Sequence, residues 1–254
     1  MRRGIKQMKI AVIPARGGSK RIPEKNIKLF RGDPIILGTL SKLRNSGLFD
    51  QIIISTDSEK IAQIVSVHKE VKVSFRSEEL SSDKANIIDV ISQEVQEHNY
   101  NDNDYLCCVY APNPFLSESA LELGLKVIEE SPGINYVSSV TTYPFPVQRS
   151  LGFNGHENQI SMCDPKYLMT HSQNLEPRFH ETAQFWWGRV ESWRSKKPMQ
   201  EKMIGIYTPR WMTQDIDTFE DWNQAEIRWE ILNRSKALKD YKFTEENIVT
   251  RNNF

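Results

Sequence analysis

Cysteine is scarce in this chain: Cys107, Cys108 and Cys163 are the three it holds. An odd count, with two of them adjacent in an apolar run, does not build a disulfide framework. It reads as reduced core thiols in a cytoplasmic protein. No CxxC or HExxH spacing occurs, which removes the common zinc sites. Long hydrophobic runs are missing too, so no membrane-spanning helix is expected. The basic start Met1-Arg2-Arg3-Gly4-Ile5-Lys6 is not followed by the apolar core of a secretion signal. Charge of one sign is also absent, with 33 Lys+Arg against 33 Asp+Glu. That balance excludes broad electrostatic binding to nucleic acid or to an anionic membrane. Any anionic ligand must therefore be held by a local group of cations. There is no internal repeat and no low-complexity linker, and 254 residues suffice for one large α/β domain or a domain with an insert.

What the chain does contain is an alternation of short apolar runs with amphipathic ones. Lys9–Ala15, Gln51–Thr56, Val71–Phe75, Asp104–Tyr110 and Tyr136–Thr142 read as buried strands. Pro34–Asn45, Ser58–Val67, Lys84–Glu97 and Ser117–Glu130 have helical spacing, with Ile35, Leu37, Leu40 and Leu43 forming the stripe of the first. This rhythm predicts an α/β fold, a mostly parallel sheet with helices on both faces. From Tyr143 to about Lys202 the rhythm fails, in a stretch rich in Pro, Gln, His and aromatics that includes Gln184-Phe185-Trp186-Trp187-Gly188. The expectation is a single domain over 8–235 with an inserted lobe at about 143–202, and a peripheral tail over 236–254. Trp186 and Trp187 suit a core or an interface.

Ligands of such sheets bind beyond the carboxyl ends of the strands. The loop after the first strand carries the strongest signal. Gly17 and Gly18 let the backbone approach a ligand and aim amide N–H groups at it. Arg16, Lys20, Arg21 and Lys25 place four cations within ten residues, a density that suits a triphosphate. The spacing is neither GxxxxGK[ST] nor GxGxxG. The plainer reading is a solvated basic turn, and two glycines directly after the first strand speak against it.

Near the far end, Gln214-Asp215-Ile216-Asp217 places two carboxylates at i and i+2. On an extended backbone they share a face while Ile216 turns to the core. Such a pair can meet one Mg²⁺, which takes oxygen ligands and keeps water and phosphate oxygens. Alternatively Asp217 or Thr218 caps the helix that follows, with Asp221 completing a capping box.

The stretch Ile13-Pro14-Ala15-Arg16-Gly17-Gly18-Ser19-Lys20-Arg21-Ile22-Pro23-Glu24-Lys25-Asn26 resembles the nucleotide-binding loop of the acylneuraminate cytidylyltransferases, the CMP-sugar synthetases for sialic and related nine-carbon acids. Ser55-Thr56-Asp57 and Arg76-Ser77-Glu78-Glu79-Leu80-Ser81-Ser82-Asp83 resemble that family's strand end and cytosine-recognition turn. The resemblance implies a Rossmann-like nucleotidyltransferase fold, CTP and an acidic sugar as substrates, Mg²⁺, release of pyrophosphate, and a homodimer formed through the inserted lobe. It implies nucleotide contacts from Ala15, Arg16, Gly17, Gly18, Ser19, Lys20, Lys25 and Asn26, with Arg76, Ser82 and Asp83 at the base. Asp83 reads equally well as the N-cap of the next helix. Asp215 and Asp217 match the family's metal-binding Asp-x-Asp, and Arg16, Lys20, Lys25 and Asp217 would be catalytic. Tyr143-Pro144-Phe145-Pro146-Val147-Gln148-Arg149 and the segment from Phe179 to Gly188 are most similar to the pseudaminic acid subgroup. Gln148, Arg149, His171, His180 and Gln184 would then meet the sugar. His171-Ser172-Gln173-Asn174 departs from that subgroup's Arg-Ser/Thr-Gln-Asp. Legionaminic, sialic and eight-carbon keto-deoxy acids remain open as substrates, as does a non-catalytic nucleotide-sugar binding role.

Overall fold

The computed structural model describes residues 6–82, 85–153, 155 and 158–253. Its first half runs β1 (Lys9–Pro14), β2 (Leu29–Phe30), β3 (Asp33–Pro34), α1 (Ile35–Ser46), β4 (Gln51–Thr56), α2 (Glu59–Val65), β5 (Val71–Phe75), α3 (Glu78–Ser81) and α4 (Ile87–Glu97). Then come β6 (Tyr105–Val109), α5 (Glu118–Glu130), β7 (Tyr136–Thr142), β8 (Leu151–Phe153), β9 (Ile160–Met162), β10 (Phe179–Arg189) and α6 (Val190–Arg194). β11 (Met203–Tyr207), α7 (Phe219–Arg234) and α8 (Lys236–Lys239) complete the order.

Seven strands form the main sheet in the order β11-β7-β10-β6-β1-β4-β5. Neighbours pair in parallel except at β10, which runs antiparallel to both β6 and β7. Successive residues of β1 feed opposite faces, as strand geometry demands. Ala11 and Ile13 join the core built with Ile36, Leu40 and Leu43 of α1 and Leu121 of α5. Ile10 and Val12 join the core under Ile91 and Val95 of α4 and Trp193 of α6. The expected mostly parallel sheet covered on both faces is therefore present. A third cluster, Ile22, Phe30, Ile35, Phe115, Ile216, Trp222 and Ala225, fastens the loop after β1 to the segment before α7.

Two boundaries differ from the sequence expectation. The inserted lobe does not extend over 143–202, because Phe179–Arg189 returns as a central strand of the main sheet. The second half of this strand, Phe185–Gly188, is buried and reads as an apolar aromatic run without alternation, and no helix precedes the strand to keep the βα rhythm. Trp187 lies in one core and Trp186 in the other. What remains of the lobe, 143–178, holds the short β8–β9 hairpin and single helical turns. The tail over 236–254 is not peripheral either. Phe243 is buried, the Val249 amide donates to the Gly205 carbonyl at 2.9 Å, and Ile248 bridges Ile206 on edge strand β11. Of the three thiols, Cys107 and Cys108 are buried and Cys163 is exposed, so only two are core thiols.

Candidate active site

The loop after β1 is built by short contacts to the next βα unit. The Ala15 amide donates to the Ser55 carbonyl at 2.8 Å, and the Gly17 amide donates to Asp57 Oδ1 at 2.8 Å. A Cβ on Gly17 would lie 2.9 Å from Cβ of Ser58, so glycine is required there by close approach to the start of α2. Asn26 is buried and its Nδ2 donates to the Arg16 carbonyl at 2.9 Å, bracing the loop across its mouth. With these ties made, Arg16, Ser19, Lys20, Lys25 and Asn26 line a cleft of about 390 Å³ beyond the carboxyl ends of β1 and β6. Ala15, Gly17 and Gly18 are not among its lining residues. Gly17 thus serves packing, and its amide is already engaged by Asp57 instead of awaiting a phosphate.

The opposite wall is the segment that leads into α7. Thr213 and Thr218 are extended at its two ends. Ile216 is fully buried between them, so Asp215 and Asp217 both reach the cleft. Helix capping falls to Thr218, with Asp221 completing the capping box that the sequence offered, and not to Asp217. The Asp221 amide donates to the Thr218 hydroxyl, and Asp221 Oδ2 accepts from the amides of Asp217 and Thr218 at 3.1 and 2.7 Å. The side chain of Asp217 is thereby left to the cleft, where it meets Arg21 at 2.8 Å and Lys25 at 3.2 Å. Lys25 also donates to the Ile216 carbonyl at 2.6 Å. Desolvation first, and the neighbouring Asp217 charge second, raise the Asp215 pKa, with Lys25 pulling it back. Two carboxylates lining one cleft could supply part of a divalent cation's oxygen shell. Among the described residues no group of three His, Cys, Asp or Glu ligands gathers.

Arg76 and Ser82 line the same cleft at a third side. Backbone pairing of Arg76 to the Thr56 carbonyl at 3.0 Å carries it past the end of β5. Its Nε is buried without a hydrogen-bond partner among the described residues. Burial lowers its pKa, against the pull of Asp57. The Ser82 hydroxyl donates to the Glu79 carbonyl at 2.8 Å. Asp83 lies outside the described residues, and α4 starts at Ile87 with Asn86 in the N-cap position, three residues later than its spacing suggests.

None of the five sugar candidates lines this cleft. Gln148 is buried and donates to the Glu176 carbonyl at 2.7 Å. Gln184, 2% exposed, donates to the Met212 carbonyl at 2.7 Å and so ties β10 to the aspartate segment. His180 is exposed and leans on Tyr143, ring centroids 4.8 Å apart. Arg149 and His171 are exposed in the lobe. In their place the fold presents Glu181, Ala183 and Tyr110. Glu181 stands between His180 and a threonine that turns inward, so strand alternation was a signal for it, but only once 179–189 is known to be a strand. Tyr110 follows a strand whose end the sequence placed one residue too late. Desolvation pushes its phenol well above the ordinary range.

Comparison with known proteins identifies the family and the fold. The sequence profile of the cytidylyltransferases matches residues 10–248. The pseudaminic acid cytidylyltransferase of Campylobacter jejuni is 30% identical over 229 residues, 89% of this chain and 98% of that protein. The N-acylneuraminate cytidylyltransferase of Streptococcus agalactiae is 26% identical over 84% of this chain, and the match spans 51% of that longer protein. Among solved structures, a CMP:2-keto-3-deoxy-manno-octonic acid synthetase complexed with CTP shares the fold with a TM-score of 0.64 at 14% identity, covering 90% of this chain and all of that one. The chain belongs to the cytidylyltransferase family and is a CTP-dependent nucleotidyltransferase.

Proposed function

We propose that this enzyme couples CTP to a nine-carbon acidic sugar of the pseudaminic type, giving the CMP-sugar and pyrophosphate. The observation that carries the reading is the meeting of Asp217 with Arg21 and Lys25 at 2.8 and 3.2 Å. Cations suited to a triphosphate and a carboxylate suited to its metal meet there, which supports that region as the seat of the α-phosphate. Sugar identity is supported by the relationship to the Campylobacter protein over nearly its whole length.

The division of labour follows from the lining. Arg76 and Ser82 face the base, whose O2 and N3 accept what an arginine donates. Arg16, Lys20 and Lys25 hold the triphosphate and offset the charge that grows on pyrophosphate as it leaves. Asp215 and Asp217 would hold Mg²⁺, with phosphate and water completing its shell. Bound there, the ion supplies Lewis-acid stabilisation of the phosphate oxygens. Positioning and fixed charge account for most of such a transfer.

The lobe supports a homodimer: Phe145, Phe153, Leu168 and Met169 are all exposed apolar side chains on it. No helix of the described residues is long and apolar enough to cross a membrane, and the cysteine usage suits the cytoplasm. Pyrophosphate release is the test, measured with CTP and Mg²⁺ across pseudaminic, legionaminic, sialic and keto-deoxy-octulosonic acids. Release should require the metal and show its highest kcat/KM with pseudaminic acid. Measurable CTP binding without release from any sugar would make the protein a nucleotide-sugar binder.

A further inference from the structure

Glu181 is the cleft residue that nucleotide and metal leave without a task. The fold takes trouble to present it. Pairing of β10 with β7 leaves register after Glu181 opposite Val140 and resumes at Trp186 opposite Ser138. Residues 181 to 186 thus face only 140 to 138, and the surplus forms a bulge, a device that re-aims side chains beside active sites. Within it Thr182 turns inward, its hydroxyl donating to Ser139 Oγ at 2.6 Å, and Gln184 turns inward to the Met212 carbonyl. Ala183 sits at φ 51°, a left-handed conformation uncommon for alanine. Its amide donates to Glu181 Oε2 at 2.8 Å. One carboxylate oxygen is clasped and the other is left to the cleft that Glu181 lines.

The remaining ionisable groups of the lining are unsuited to accept a proton from substrate. Arg16, Lys20, Arg21, Lys25 and Arg76 are cationic donors. The Tyr110 phenol, pushed up by desolvation, keeps its proton. Asp217 is engaged by Arg21 and Lys25, and the proposed function gives both Asp215 and Asp217 to the metal. Glu181 lines the same cleft as Asp215, Asp217 and Tyr110, into which the proposed function puts the reacting phosphate. An acidic sugar's own carboxylate is repelled by Glu181, so the sugar turns a hydroxyl toward it.

Resting on the cytidylyl-transfer reading above, we infer that Glu181 is the general base of the reaction. The hydroxyl O–H breaks and its proton passes to the Glu181 carboxylate. The freed oxygen bonds to the α-phosphorus of CTP, and the bond from that phosphorus to the bridging oxygen breaks, its electron pair leaving on pyrophosphate.

Steady-state pyrophosphate release by Glu181→Gln and Glu181→Asp tests this. Glutamine keeps the reach and the acceptor oxygen for the Ala183 amide but takes no proton; aspartate keeps the base but is one methylene short. A base predicts kcat down about a hundredfold or more in the glutamine variant, from the usual contribution of such proton transfer. It also predicts KM for CTP within about twofold of wild type and the aspartate variant more active than the glutamine one. A mere clasp of the bulge predicts the opposite order, glutamine above aspartate, and that order would overturn the inference. So would a glutamine variant whose kcat stays within about threefold of wild type, against the factor that proton transfer supplies. Protection of each variant against thermal unfolding by CTP reports that the cleft is formed. Failure of wild-type enzyme with every acid sugar would instead remove the proposed function, leaving the two failures distinct.

Discussion

Asp221 shows how a side chain away from the chemistry sets it up. Partial burial pulls its pKa upward, but hydrogen bonds from the Thr218 hydroxyl and amide and from the Asp217 amide prevail and hold it below the usual value. A carboxylate with a depressed folded pKa contributes stability above its unfolded pKa of about 3.9, and that contribution is lost as pH falls through the lower folded value. Asp221→Asn keeps the shape and removes the charge at the start of α7. It should lower Tm near pH 7 by about 1–3 °C, a fraction to one kcal/mol in a chain of this size. In calorimetry the difference should shrink as pH falls through the lowered folded pKa, where wild type and variant become alike. At this scale the loop cations and both aspartates, which line the cleft, were legible, because each group stands at short spacing in the chain. Gln184 and Glu181 were not, because a glutamine and a glutamate in an aromatic run look alike until the strand is placed. The two then diverge: Gln184 turns inward and Glu181 outward.

Among the elements, β10 is the one whose nature the sequence concealed. Its contact with α5 is close enough to reverse an ordinary rule. Gly124 lies inside α5, where alanine normally stabilises a helix by about 1 kcal/mol. Here a Cβ would meet Trp187 Cδ1 at 2.8 Å and Phe185 Cε2 at 3.0 Å. Both rings are fully buried, and Trp187 Nε1 donates to the Leu121 carbonyl at 3.1 Å, so they have little room to yield. Overpacking of this kind costs about 1–3 kcal/mol. Gly124→Ala should therefore lower the midpoint of urea unfolding; a rise would show that the helix can shift away from the sheet. By contrast α1, α2, α5 and the parallel strands were legible, since each carries its own amphipathic stripe or buried run.

For the whole molecule, the lobe over 143–178 projects apolar side chains that the main domain does not cover. Phe153 is 78% exposed on the short β8–β9 hairpin. In the proposed dimer this surface is the interface, and Phe153→Asp should convert a dimer into a monomer in sedimentation velocity while leaving CTP binding by the cleft intact. A wild-type monomer at micromolar concentration would remove that assembly. The C-terminal segment is a second whole-molecule feature. It was expected to be peripheral because it is polar, yet Phe243 and Ile248 carry it onto the sheet edge.

The amino-acid sequence by itself determined the α/β class, the cation-rich glycine loop after the first strand and the spacing of the aspartate pair. Hydrophobic periodicity and local charge density are properties of neighbours in the chain. Only the tertiary structure decided that the loop and the aspartates meet across one cleft, that 179–189 is a central strand, and that Glu181, at its bulge, lines that cleft. These depend on pairings between residues far apart in sequence: Lys25 with Ile216, Gln184 with Met212, and β10 with β6 and β7. No local pattern encodes such contacts, because each half is satisfied only when the other arrives.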